Sequence, residues 1–193
     1  GFIIPAGQLA MWAAARWQEN INADFIDLLV NSFSLALVAA LCCLVVAVFL
    51  AYSKRLFSSA LEMGAIGVSG LGYAVPGTVI AVGVLIPAGH LDNQIDLMSR
   101  SWLDHPTGLL ISGTIGILVF AYLVRFLSIA LNTVDAGLAA IKPSLDESAR
   151  SLGASPRKVL GSIHLPILRT SLLTALLLVF VEVLKELPTT LIL

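Results

Sequence analysis

Residues 28–53 read LLVNSFSLALVAALCCLVVAVFLAYS, and Lys54 and Arg55 follow at once. The stretch carries no charge and exceeds the roughly 20 apolar residues that a helix needs to cross a bilayer. In hydrocarbon an isolated segment can satisfy its own backbone only as a helix. The stretch therefore predicts a transmembrane helix and an all-α fold. Composition agrees. The 193 residues are 58% hydrophobic and 12% charged, with a mean hydropathy of +0.96, whereas soluble domains carry about 25% charged residues. Such a chain lacks the polar side chains to cover a water-facing surface. Cys42 and Cys43 lie side by side in the stretch, point in different directions on a helix, and read as packing residues rather than a disulfide.

Further charge-free stretches run from about 63 to 89 and from 106 to 124 ahead of Arg125, and a fourth apolar stretch from about 166 to 190 carries Arg169 in its first turns and Glu182, Lys185 and Glu186 in its last third. With 28–53 they predict four spans of a polytopic helical bundle within a domain covering 28–193. Residues 1–27 are expected to end a missing span or to lie along the interface, with Trp12 and Trp17 as anchors. No charged n-region or cleavage site precedes the apolar runs, so no signal peptide is expected in this stretch, and the chain is expected to be a piece of something longer.

Successive spans alternate sides, so segments 54–62 and 125–169 are expected on one side. Together they hold Lys54, Arg55, Arg125, Lys142, Arg150, Arg157, Lys158 and Arg169. The other side, residues 1–27 and the expected loop from His90 to His105, holds Arg16 and Arg100 against Glu19, Asp24, Asp27, Asp92, Asp96 and Asp104. The positive-inside rule assigns the basic side to the cytoplasm.

Pro76 interrupts the second stretch, removing a backbone donor and freeing a carbonyl that a neighbour or a cavity must satisfy. Gly64, Gly67, Gly70, Gly72, Gly77 and Gly83 make the segment thin. Two compatible readings follow: a kinked, tightly packed central helix, or a helix lining a translocation path.

One polar stretch stands apart, SLDESARSLGASPRKVLGSIHLP at 144–166. Ser144 and Glu147 have capping-box spacing at the start of a short helix. Gly153 is placed to end that helix, and Ser155-Pro156 to start another. Leu145, Ala149 and Leu152 make an apolar stripe on the first helix, and Val159, Leu160 and Ile163 on the second. These stripes either pack on the ends of the spans or dock a partner helix-in-groove.

Glu147-Ser148-Ala149, then Gly153, then Ile163-His164-Leu165-Pro166 resembles the EAA loop of ABC importer permeases, with Ser148 replacing the middle alanine. The resemblance implies a coupling helix within 135–166 that docks on a cytoplasmic ATP-binding subunit through Glu147, Ser148, Ala149, Gly153, Ile163, Leu165 and Pro166. VEVLKELPTTLIL and LGYAVPGTVIAVGVL resemble the ferric-iron branch of these permeases. That branch implies a type I importer (MetI-like) fold, this chain being most of the second half of a fused permease with the last core span missing. It also implies a bacterial inner membrane location, a periplasmic substrate-binding protein, surrounding lipid, and the other permease half or a second copy as partners.

No G-x-x-x-x-G-K-[ST], H-E-x-x-H or nucleophile elbow occurs in the sequence. No catalytic residue, metal site, cofactor or nucleic-acid partner is expected, and ATP hydrolysis falls to a partner subunit. His90, His105 and His164 read as solvated histidines. Glu182, Lys185 and Glu186 crowd two helical turns about 20–25 Å from Arg169 at 1.5 Å per residue. Either they anchor the outer interface or, with Pro76, they line a path or gate whose carboxylates suit a hard cation such as iron(III). The leading expectation is an ATP-driven iron(III) importer permease. Thiamine, polyamine or oxyanion uptake is the alternative within the family. An ATP-independent secondary transporter is the rival of another class, and it would need ionisable residues buried mid-span, which the first three stretches lack.

Overall fold

The computed structural model describes residues 3–15, 23–57, 64, 67, 70–103 and 108–192. Trp17, Arg16, Glu19, Asp104 and His105 fall outside them. The described residues are helical with no strand, and contacts divide the chain into units Gly1–Leu35 and Ala36–Leu193. In the first unit, α1 (Ile3–Ala15) is apolar throughout and leaves Ile3, Ile4, Leu9 and Trp12 exposed. It shares that unit with the start of α2 (Ala23–Leu56).

In the second unit, α2 buries Ala36, Ala40, Cys43, Ala47 and Ala51 along one stripe. Small residues at this spacing let helices approach closely in a membrane, where dispersion contacts replace the hydrophobic drive. Both cysteines are free, as their spacing requires. The core lies where α4 (Ile115–Ala139) packs on α7 (Leu165–Lys185). Ala130, Leu131 and Val134 face Ala175, Val179 and Leu168, all 2% exposed or less. At Gly137 a Cβ would sit 2.8 Å from Leu168 Cδ2 and 2.5 Å from Ser171 Oγ, so glycine sets this spacing.

Among the described residues, three helical runs are long and apolar enough to cross a membrane: Phe25–Leu56, Ile115–Ala139 and Pro156–Lys185. The second expected span takes another form. A helical segment at 70–74 stops at Val75-Pro76, and α3 (Gly77–Leu103) starts there. Residues 90–103 are thus helix rather than loop.

The expected third span, 106–124, is also displaced. Gly108 and Gly113 adopt φ of +65° and +78°, which ends helical geometry. Buried Asp92 takes the amides of Leu110, Ile111 and Ser112 at 3.0, 2.8 and 2.7 Å. Thr114 then caps α4 by accepting from the Ile117 amide. Arg125 consequently sits well inside α4 rather than in a basic loop. Mid-span ionisable residues therefore do exist in this chain, which removes the sequence-based objection to a secondary transporter.

Candidate functional site

The polar stretch folds as helix, glycine turn, helix: α5 (Pro143–Ser151), then α6 (Pro156–Val159). The capping box does not form. Lys142 is the N-cap and Pro143 the first helical residue, because proline has the right φ and no amide to leave unpaired. Ser144 therefore lies inside the helix, where its carbonyl accepts from Ser148 Oγ at 2.8 Å.

The exit from α5 is as expected. Gly153 has φ +79°, its amide donates to Arg150 O, and the Ala154 amide reaches Ala149 O at 3.0 Å, completing a Schellman motif. Helix α6 does not stop. Residues Leu160–His164 form a π turn that runs into α7, giving one helical run from Pro156 to Lys185. Pro166, at the second position of α7, lacks the amide that would continue ordinary i→i−4 bonding to Ser162, and the wider turn absorbs the defect.

Between α5 and α6 lies a cleft of about 380 Å³, bordered by Leu145, Ser148, Ala149, Leu152, Gly153 and Ile163. Ala149 is buried, whereas Leu145 is 44% exposed and Leu152 88%. The two apolar stripes thus split: Val159 packs inward and the leucines stand free. Of the EAA-like residues, Ser148, Ala149, Gly153 and Ile163 line this notch. Glu147 faces a second cleft with Pro143, Asp146 and Arg150, and exposed Leu165 and Pro166 line neither.

Beneath the notch is a polar knot that sequence reasoning missed. Arg55 Nε donates to Asp146 Oδ2 at 2.7 Å, and its terminal nitrogens donate to the carbonyls of Leu138 and Ile141. Asp146 Oδ1 lies 2.6 Å from His164 Nε2, and a carboxylate only accepts, so Nε2 carries the proton. His164 is wholly buried, not solvated. The Tyr52 ring meets it edge-on at 5.4 Å, and Tyr52 Oη donates to Pro156 O at 2.7 Å. Burial pushes the Asp146 carboxyl up, but hydrogen bonds from Arg55 and His164 outweigh it and hold it below the usual carboxylate range. The available signal was Lys54-Arg55 ending one span on the side assigned to Asp146.

The expected path residues separate into two groups. Lys185 Nζ pairs with Glu182 Oε1 at 2.7 Å on an open surface. Glu186 instead lies at the break between α7 and α8 (Leu187–Ile192). There it is buried, paired with Arg125 Nη2 at 3.1 Å, and accepts from Thr189 Oγ1 at 2.8 Å. Arg125 Nη1 donates to Val75 O at 2.8 Å, so it supplies the partner that the proline break demands. A Cβ on Gly77 would collide with Glu186 Oε1 and Thr189 Oγ1, and one on Gly72 with Val124 O. Gly64, Gly67, Gly70 and Gly83 meet nothing within 4 Å, so close approach is confined to two of the six glycines. Glu186 is thus ion-paired to Arg125 of α4 and hydrogen-bonded to Thr189 of α8. Among the described residues no group of three or more His, Cys, Asp or Glu side chains gathers to hold a metal.

The chain aligns over 193 residues, 98% of its length, with the Fe(3+)-transport system permease protein FbpB 2 of Haemophilus influenzae at 27% identity, covering 35% of that protein. Over 110 residues, 57% of the chain, it is 34% identical to the putative ferric transport system permease protein FbpB 1 of the same organism, covering 15% of it. It is 33% identical over 110 residues to the ferric transport system permease protein FbpB of Actinobacillus pleuropneumoniae, covering 14%. The chain therefore spans about a third of the first relative and about a seventh of the others. The family model for the binding-protein-dependent transport system inner membrane component matches residues 43–193, which include the notch, the knot beneath it and the Arg125–Glu186 pair. With that match, and with three membrane-capable helices among its described residues, the chain belongs to the binding-protein-dependent transport system inner membrane component family.

Proposed function

We propose that this chain is part of the permease of an ATP-driven importer of iron(III), and that a separate cytoplasmic ATP-hydrolysing subunit docks in the α5–α6 notch. One observation carries the reading: an apolar cleft floored by Ala149 and flanked by exposed Leu145 and Leu152. Exposed leucines on a membrane protein's polar elbow are unfavourable in water and favour a partner helix face. Lys158 lines the notch, and with Lys142, Arg150 and Arg157 in the same stretch it favours the cytoplasmic side. The dependence of the family on a binding protein supports a periplasmic substrate-binding partner. The relatives' names support iron(III) as cargo.

The coupling follows from continuity. Because α6 and α7 are one helical run, displacement of the notch by an ATP-closing partner is carried into a span, a rigid-body transition that needs differential contact in two states. At the other end of α7, the Arg125–Glu186 latch holds the Pro76 break shut. Its release frees a carboxylate near Glu182, and the two are then candidates to meet the cargo.

Replacing Gly153 with tryptophan and scoring co-purification of the ATPase together with iron(III) uptake tests the docking. Persistence of both rejects it. Neutralising Glu182 and Glu186 and measuring growth under iron limitation tests the cargo, and unimpaired uptake removes these carboxylates from the mechanism.

A further inference from the structure

We propose that Arg55, Asp146 and His164 form a clamp that joins the elbow to the ends of α2 and α4, so that a push on the notch moves three spans as one body rather than α7 alone. The inference rests on the docking reading above. Arg55 leaves α2 and spends its three guanidinium nitrogens on Asp146 of α5 and on the carbonyls of Leu138, in the last turn of α4, and Ile141 just beyond it. A planar fork serves three acceptors at once, which the single ammonium of a lysine cannot reproduce in this geometry.

Asp146 then hands its second oxygen to His164 on the π turn, at 2.6 Å. That turn is where the α6–α7 run departs from regular bonding, so it is the natural place for the elbow to flex against α7. The His164 side chain is 0% exposed, and the side chains of Arg55 and Asp146 are only 16% and 18% exposed, so water cannot readily replace these bonds if the elements slide. Tyr52 adds a fifth tie, one turn back along α2, to Pro156 O at the start of α6. Lys54–Asp135 also joins α2 to α4, but at about 40% exposure on both sides it contributes little. Arg55, Asp146 and His164 are positioning residues: they touch no cargo and act by fixing where the docked elbow can go.

The test uses the full-length protein with its co-purified ATPase, Cys42 and Cys43 replaced by Ser and Ala. Spin labels go on Val45→Cys of α2 and Ser144→Cys of α5, both exposed positions. With the clamp intact, the label-to-label distance stays narrow and equal with and without ATP. Arg55→Lys and Asp146→Asn broaden or shift it under ATP. Both variants retain the ATPase and hydrolyse ATP within about twofold of the parent, while iron(III) uptake falls about tenfold. A merely structural role would lower hydrolysis and uptake in parallel, and that result overturns the clamp. So does an intact protein whose label distance changes with ATP. The distance arm does not depend on the cargo. A parent protein that retains no ATPase defeats the docking reading instead, and the clamp with it.

Discussion

Gly153 separates backbone strain from docking more cleanly than any other residue in the elbow. Its φ of +79° is a conformation that residues with a Cβ adopt at a cost of about 1–2 kcal/mol, asparagine less so. A Cβ built there meets nothing within 4 Å, so the chain itself offers no steric objection even to a large side chain. Alanine and tryptophan at 153 therefore carry the same strain, roughly a 5–30-fold loss in the local folding equilibrium, but differ greatly in what they project beside the notch. Three variants of the purified complex, Gly153→Asn, Gly153→Ala and Gly153→Trp, are compared by thermal midpoint and by the amount of ATPase retained. The midpoint is expected to fall slightly for Asn and by similar, larger amounts for Ala and Trp. Retained ATPase is expected near the parent level for Asn and Ala and to collapse for Trp alone. Equal retention by Ala and Trp would refute the assignment of this notch as the docking surface, because only volume distinguishes the two.

Other consequences follow from the two buried charge clusters. Removing one partner of a buried ion pair costs about 3–5 kcal/mol, so Glu186→Gln or Arg125→Met is expected to lower the thermal midpoint sharply, while Glu182→Gln, whose lysine partner is exposed, leaves it in place. Gly77→Ala is expected to behave like Glu186→Gln, since its Cβ needs the space that Glu186 Oε1 occupies; an unchanged midpoint shows that the latch tolerates displacement. Asp146 has a folded pKa below its ordinary 3.8, so its contribution is complete above that value and is lost as pH falls through the folded pKa. Asp146→Asn should accordingly flatten the acid limb of a stability–pH profile while lowering its neutral plateau. Tyr52→Phe deletes one hydrogen bond and is expected to cost about 1 kcal/mol, read from the same melting curves.

The sequence by itself determined the solvent of this protein and the local grammar of its elbow. The charge-free run 28–53 can satisfy its backbone in lipid only as a helix, and Gly153 and Ser155-Pro156 act through their own φ preferences, so both were legible residue by residue. Local signals also misled where a neighbour outbid them. Pro143 displaced Ser144 from the cap, and Asp92, Gly108 and Gly113 together held residues 108–114 out of a helix that their hydropathy favours. What only the tertiary structure decided was the fate of the charges. Arg125 reads as the end of a span until Glu186 and the carbonyl freed at Pro76 are brought to it. His164 reads as solvated until Asp146, eighteen residues earlier, closes on it under the guanidinium of Arg55 from another helix. A charge in a membrane protein is tolerated according to the partner it finds, and partners distant in sequence become neighbours only when helices pack.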